Sequence, residues 1–389
     1  MYDATRPDHD FSEAHQAFRA SLRAFVEAEI IPNLPAWEAA GRLPRDLYRK
    51  AAAVGVQGAV FPEALGGSGG DLFMQMVLTE ELSRAGAGGV VASLCSHSIA
   101  IPPIVRHGSD DLKARVAVPV IAGEAIAALA ITEPGGGSDV AALRTTARRD
   151  GDDFVVDGEK IFITSGMQAD FITAAVRTDP CSQGMYGISL LVIPGDAKGL
   201  ERSPLDKMGW HASDTAHLRF DGVRVPAANL VGEEGAGFRA VMMNFNDERL
   251  FMAAQAAAMA QVCFDEALSW ARERRAFGKP LIEQQVIRHK LADMAGRIDA
   301  ARTLAYDVTR RRMAGLDPLN IHVARTSMAK VMATDAMKFC ADEAVQILGG
   351  MGFMRGTASE RIYREVKVMT IGGGTDETMR NLAAAQLGF

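Results

Sequence analysis

Helical periodicity, then two-residue alternation, then a longer helical stretch follow one another along this chain, and that order predicts an α+β multi-domain fold. Early on, Phe18, Leu22, Phe25 and Val26 are spaced for one helix face. Residues 154–164 and 188–193 then read as strands separated by turn signals such as Asp150-Gly151-Asp152. Later, Ile287, Leu291, Met294, Ile298, Ala301, Ala305 and Val308 recur by four and three. The expected organisation is an N-terminal helical domain over residues 1–128, a middle antiparallel β domain over 129–234, and a C-terminal four-helix bundle over 235–389.

In the first domain, Pro32, Pro35 and Pro62 break the helical pattern, and the glycine cluster at residues 66–70 is a loop. It is no P-loop, because no Gly-Lys-Ser/Thr closes it. In the last domain the long helix is expected over residues 248–275, the next around Ile287 to Val308, and a third over 322–348. So much apolar stripe on long helices points to faces shared with other copies of the chain.

With 389 residues, 48% of them hydrophobic and 23% charged, the composition is that of a globular protein. A net charge of -6 argues against nucleic acid as a partner. No apolar run reaches the length of a membrane span, so no integral membrane segment is expected. The acidic start fits neither a secretory signal nor a transit peptide, and a cytoplasmic location is expected. Cys95, Cys181, Cys263 and Cys340 are scattered without metal-ligand spacing, so neither zinc nor a disulfide framework is expected.

The stretch that organises the chemistry is Ala130-Ile131-Thr132-Glu133-Pro134-Gly135-Gly136-Gly137-Ser138-Asp139. Its glycines let a ligand approach the main chain, while Thr132 and Ser138 offer hydroxyls that donate and accept. A flat heteroaromatic ring or a pyrophosphate suits such a loop, and so does an ordinary Pro-Gly turn.

Taken with this loop, several ordered motifs resemble the acyl-CoA dehydrogenase family over essentially the whole chain. Lys160-Ile161-Phe162-Ile163-Thr164-Ser165-Gly166 is similar to its flavin-facing strand, with Phe162 where tryptophan is common. Arg274-Arg275-Ala276-Phe277-Gly278-Lys279-Pro280 is similar to its Arg-x-x-Phe-Gly element, and Gln346-Ile347-Leu348-Gly349-Gly350-Met351-Gly352-Phe353 to its second signature. Lys207-Met208-Gly209-Trp210, Arg224-Val225-Pro226 and Gly232-Glu233-Glu234-Gly235 follow its β-domain pattern.

The resemblance implies an FAD cofactor contacted by Ala130, Thr132, Gly137, Ser138, Phe162, Thr164, Arg274, Phe277, Gln346, Gly349, Gly350, Thr375 and Glu377. Phe162 would cover the ring, Thr164 would lie near flavin N5, and Arg274 would pair with the pyrophosphate. In the family the Arg274 and Gln346 elements reach the FAD of a neighbouring subunit, which implies a homo-oligomer, usually a tetramer. Each residue also has a bland reading. Thr164 suits a strand, Phe162 a core, Arg274 a solvated basic run, and Gly349 a helix C-cap.

The resemblance also places a catalytic base. Many members carry a glutamate just before Gly-Thr in the C-terminal loop, but here the loop reads Ile371-Gly372-Gly373-Gly374-Thr375-Asp376-Glu377, with Gly373 at that position. Isovaleryl-CoA and long-chain dehydrogenases instead carry it on the first long helix of the C-terminal domain, immediately before an arginine, and this chain has Asn246-Asp247-Glu248-Arg249-Leu250 there. An acid in the first turn of a helix is an adequate reason for Glu248 too, but Gly373 tips the reading to catalysis.

As base, Glu248 would take the Cα proton of an acyl-CoA while flavin N5 takes the Cβ hydride, giving the trans-2-enoyl-CoA. Burial would raise its pKa toward working pH. Substrate contacts would come from Ser138, Asn246, Arg249, Gly373 and Gly374, with Asn246 replacing the usual aspartate. Lacking side chains, Gly372 and Gly373 would leave room for a medium, long or branched acyl chain unless Met369 refills it. The expected electron acceptor is an electron-transferring flavoprotein. An oxidase that passes electrons to oxygen and an inactive scaffold are the competing readings.

Overall fold

The computed structural model describes residues 10–179, 181–182 and 184–389. A helical first part, a seven-stranded sheet and a second helical part follow in that order, and three hydrophobic cores join them.

The first helix, Glu13–Phe25, starts at a capping box in which the Ser12 hydroxyl accepts from His15 N–H and the His15 ring receives the Ser12 N–H. Asp71 caps Leu72–Ser83 by accepting from Met74 N–H at 2.9 Å, and the same carboxylate meets His15 at 2.9 Å. Leu22, Phe25, Met76, Val77 and Leu82 then pack into one core with the C-terminal helices.

The sheet runs β1 (Ala127–Ala130), β2 (Thr146–Asp150), β3 (Asp153–Thr164), β4 (Phe171–Arg177), β5 (Ile188–Pro194), β6 (Leu200–Pro204) and β7 (Thr215–Pro226). Its order is β1-β4-β2-β3-β7-β6, with β5 also on β4. Pairing is antiparallel except that β1 lies parallel to β4 and Thr146 of β2 bridges Arg177 of β4 in parallel. Leu190 and Val192 of β5 face the core beneath the first helices, while Leu191 and Ile193 face the core on the other side of the sheet. Burial on both faces explains why this strand is apolar throughout.

The helix expected from residue 248 begins much earlier, at Gly237, and runs 37 residues to Glu273, about 55 Å. Gly237, Asn244, Asn246 and Asp247 are weak helix formers, which hid this start. Tertiary contacts override them: Val241 enters the core under the sheet and Asn244 Nδ2 donates to Ile99 O at 2.8 Å. Gln285–Met313 and Leu319–Leu348 follow, and the last of these packs against all the other bundle helices, including the short Ala358–Met369 and Asp376–Leu387. Among the described residues, no single helix is long and apolar enough to cross a membrane.

Candidate active site

Glu248 lies eleven residues past the helix start, about three turns in, so the positive end of the helix dipole does not explain it. Its Oε2 is screened from solvent and has no hydrogen-bond partner among the described residues. Burial pushes the carboxyl up to about 7, against the opposing pull of the Arg249 guanidinium. A protein gains no stability by hiding an unpaired carboxyl. A buried, unpaired carboxyl with a raised pKa marks a candidate functional position.

One residue on, Arg249 turns its guanidinium to the C-terminal glycine loop. Its Nε donates to Gly373 O at 2.8 Å, one terminal nitrogen meets Asn246 Oδ1 at 3.3 Å, and the cation sits 5.7 Å from the Phe245 ring centre. The fully buried Lys330 donates to Gly374 O at 3.1 Å and to Asp376 Oδ1 at 3.2 Å. Gly373 and Gly374 have φ of +66° and +105°, where a side chain is strained. Thr375 caps the last helix by accepting from Thr378 N–H at 3.2 Å. Glu377 is exposed in that first turn, held below its usual range by a backbone N–H and the Thr375 hydroxyl. Asn246, Glu248, Arg249, Gly373, Gly374 and Thr375 therefore share one neighbourhood.

Space beside the glycines is occupied. A Cβ on Gly373 would lie 2.6 Å from Met252 Sδ, and one on Gly374 would lie 2.5 Å from Met379 Cε. Met252 follows Glu248 by one turn, on the same helix face. Met369, the side chain the sequence suggested as a filler, is buried in the bundle core.

On the β side, Ile161 N–H donates to Thr132 O at 2.9 Å, which sets the Thr132 loop against β3. Glu133 accepts from Arg144 N at 2.6 Å, Thr145 N at 2.9 Å and Lys160 Nζ at 2.8 Å. Burial alone would raise this carboxyl, but the Lys160 ammonium and these donors hold it low, so Glu133 fastens the loop. A Cβ on Gly137 would meet Thr132 Cγ2 at 3.2 Å, whereas at Gly135 and Gly136 it would meet no atom within 4 Å. Ala130 is buried in β1 and Ser138 is exposed.

At a break in the β3–β7 register, Phe162 adopts φ +62° and remains 66% exposed. An exposed aromatic in left-handed backbone is strain without a packing return inside the chain, which makes Phe162 a candidate ligand-facing position. Thr164 pairs with Thr215, and Ser165 behind it is tied to Asp214 O at 3.0 Å and to the Ser93 hydroxyl at 3.4 Å. That anchors the strand end to the first helical domain.

Arg274 and Phe277 lie on a hairpin after the long helix, where Phe277 is 98% exposed with φ +53°. Gln346, Gly349 and Gly350 are exposed at the end of Leu319–Leu348. Among the described residues no hydrogen bond joins either group to the Thr132 loop. The residues toward the β side fit a flavin: a glycine loop open to approach, a strand-end threonine, and an aromatic held out from the sheet.

Sequence reasoning missed Met252 and Lys330. Met252 carries no local signal, since its role depends on what a distant glycine lacks. Lys330 carried a weak one, a lysine among Ala329, Val331 and Met332 on a packed helix.

Residues 12–124, 128–223 and 235–388 match, in turn, the N-terminal, middle and C-terminal domains of acyl-CoA dehydrogenases. The chain is 36% identical over 379 residues to the mitochondrial long-chain specific acyl-CoA dehydrogenase of Sus scrofa, covering 97% of this chain and 87% of that one. It is 35% identical over 379 residues to the mitochondrial short-chain specific acyl-CoA dehydrogenase of Bos taurus, covering 97% and 91%. The crystal structure of a probable acyl CoA dehydrogenase from Mycobacterium abscessus superposes with a TM-score of 0.94 at 50% identity, covering 97% and 99%.

Proposed function

The chain belongs to the acyl-CoA dehydrogenase family, FAD-dependent oxidoreductases, and from that premise we propose that Glu248 is its base, taking the Cα proton of an acyl-CoA thioester. The observation that carries this reading is the solvent-screened, unpaired Glu248 Oε2. Gly373, at the position of the usual base, offers no alternative carboxylate, and Glu133 is occupied by three donors.

The roles follow from the chemistry of α,β-dehydrogenation. Glu248 stands on one face of the acyl chain and accepts the Cα proton at Oε2. The Thr132 loop, Phe162 and Thr164 would hold FAD, which would supply the acceptor for the Cβ hydride. As the proton leaves, charge gathers on the thioester oxygen, and backbone N–H groups of the glycine loop stabilise it. The product is the trans-2-enoyl-CoA. Arg274, Phe277, Gln346, Gly349 and Gly350, exposed in the single chain, complete the FAD site of a neighbouring copy, and Ser138 and Asn246 meet the CoA portion.

Met252 narrows the pocket argument. The two glycines do not leave an empty volume beside Cα to Cγ, because a flexible thioether lies against Gly373. A medium, long or branched acyl chain is still favoured, since a flexible thioether yields where the glutamate that many members carry at this position would not.

The test is anaerobic flavin bleaching with butyryl-, isovaleryl-, citronellyl-, octanoyl- and palmitoyl-CoA, followed by reoxidation with air or with electron-transferring flavoprotein. Bleaching by a branched or longer thioester, with slow recovery in air and fast recovery with the flavoprotein, is expected. Best activity on butyryl-CoA contradicts the pocket, and rapid recovery in air contradicts the acceptor.

A further inference from the structure

We propose that Lys330 is a positioning residue: with Arg249, it fixes the glycine loop so that its free N–H groups face the thioester oxygen. This rests on the dehydrogenase reading above and assigns a part to a buried cation which that reading leaves unused.

The geometry begins with two carbonyls. Gly373 O receives Arg249 Nε at 2.8 Å and Gly374 O receives Lys330 Nζ at 3.1 Å. No peptide among the described residues is cis, and in a trans peptide the N–H points opposite to the C=O of the same unit. Holding Gly373 O on Arg249 therefore turns Gly374 N–H away from that cation. Holding Gly374 O on Lys330 turns Thr375 N–H away from the ammonium. Among the described residues no group accepts from the N–H of Gly373, Gly374 or Thr375. Three consecutive donors stand free beside the helix that carries Glu248.

Glycine peptides at φ +66° and +105° have little intrinsic reason to hold one orientation, because without Cβ the opposite peptide plane is nearly as accessible. An oxyanion site is effective only if its donors are aimed before the charge develops. Two cations on successive carbonyls supply that aim.

The bland alternative is a structural tie, since Lys330 also meets Asp376 at 3.2 Å and could simply fasten the last helix to the bundle. That tie needs only the carboxylate. The additional bond to Gly374 O places the ammonium on the loop itself.

The two roles separate in Lys330→Met, examined as holoenzyme. Positioning predicts unchanged FAD content and acyl-CoA affinity, with kcat for flavin reduction down about 10- to 100-fold, the size of effect expected from a misaimed oxyanion donor. Lys330→Arg should recover part of it. The second readout is the infrared carbonyl stretch of 13C-labelled octanoyl-CoA bound to Glu248→Gln protein, where substrate persists. Its downshift should shrink when Lys330→Met is added. A kcat per bound FAD equal to wild type, or an unaltered stretch, overturns the proposal. If Lys330→Met does not fold, Lys330→Gln is read by the same two measurements. Failure of wild-type protein to reduce its flavin with any acyl-CoA would instead strike the parent reading.

Discussion

At the scale of single residues, burial raises the proton affinity of the Glu248 carboxyl. With Glu248 pushed up to about 7, it is protonated below that pH, where the proposed base could take no proton. The rate constant for flavin reduction should therefore rise through about pH 7 and fall about tenfold per unit on the acid side. A flat profile between pH 5 and 8 contradicts this assignment. The same shift affects stability. A carboxyl whose folded pKa lies above its unfolded value favours the fold at low pH, and that contribution is lost as pH rises through the folded pKa. Glu248→Gln removes the cost of the buried charge, so the variant should be more stable than wild type by about 1–3 kcal/mol at pH 8, with the difference vanishing near pH 4. Denaturant melts at the two pH values read it directly. The sequence singled out Glu248 because Gly373 could not be a base. It could not exclude a helix-cap role, which needed the true helix start.

At the scale of elements, the long helix and the glycine loop form one device. Glu248, Arg249 and Met252 occupy adjoining turns, and the loop's conformation follows from what two of them touch. Moving the carboxylate to the loop should consequently fail on its own. Gly373→Glu in a Glu248→Gln background meets Met252 Sδ at 2.6 Å and must adopt φ +66°. Activity should return only when Met252→Ala is added, and then partially, because the left-handed backbone still costs about 1–2 kcal/mol. Full rescue by Gly373→Glu alone would show that Met252 does not fill the space. The alternating strands and four-three helical spacings were legible because each element buries a regular face. The register break that holds Phe162 out from the sheet was not, since it arises from pairing with β7, distant in sequence.

At the scale of the molecule, the three parts are locked at shared points. Glu365 on Ala358–Met369 accepts from Gly88 N–H at 2.7 Å and Trp210 N–H at 3.1 Å, joining the bundle to the first helical domain and to the loop between β6 and β7. The bundle's outer surface remains apolar in places. Met328 and Met332, one turn apart on Leu319–Leu348, and Phe353 beyond it are exposed in the single chain. Larger exposed patches of this kind mark contacts with other proteins. If neighbouring copies complete each FAD site, then assembly and flavin retention are linked. Met332→Glu should yield smaller species in sedimentation that lose FAD on dilution, while monomers that stay yellow contradict a shared site. Arg274→Ala should leave assembly intact but weaken FAD retention about tenfold or more, the loss of a charge-assisted contact worth roughly 1.5–3 kcal/mol. Membership of the family was legible from motifs spread over the whole chain. The resemblance assigned Arg274 and Gln346 to the FAD of a neighbouring copy, and among the described residues neither has a hydrogen-bonded partner in the Thr132 loop of its own chain.

The central claim is that Glu248 takes the proton. Single-turnover mixing of yellow Glu248→Gln protein with a thioester that bleaches wild type, without oxygen, tests it most directly. The amide keeps the shape and binding but has no proton affinity to offer, so flavin reduction should slow by at least about a hundredfold while acyl-CoA still binds. Reduction at the wild-type rate would mean that the base lies elsewhere.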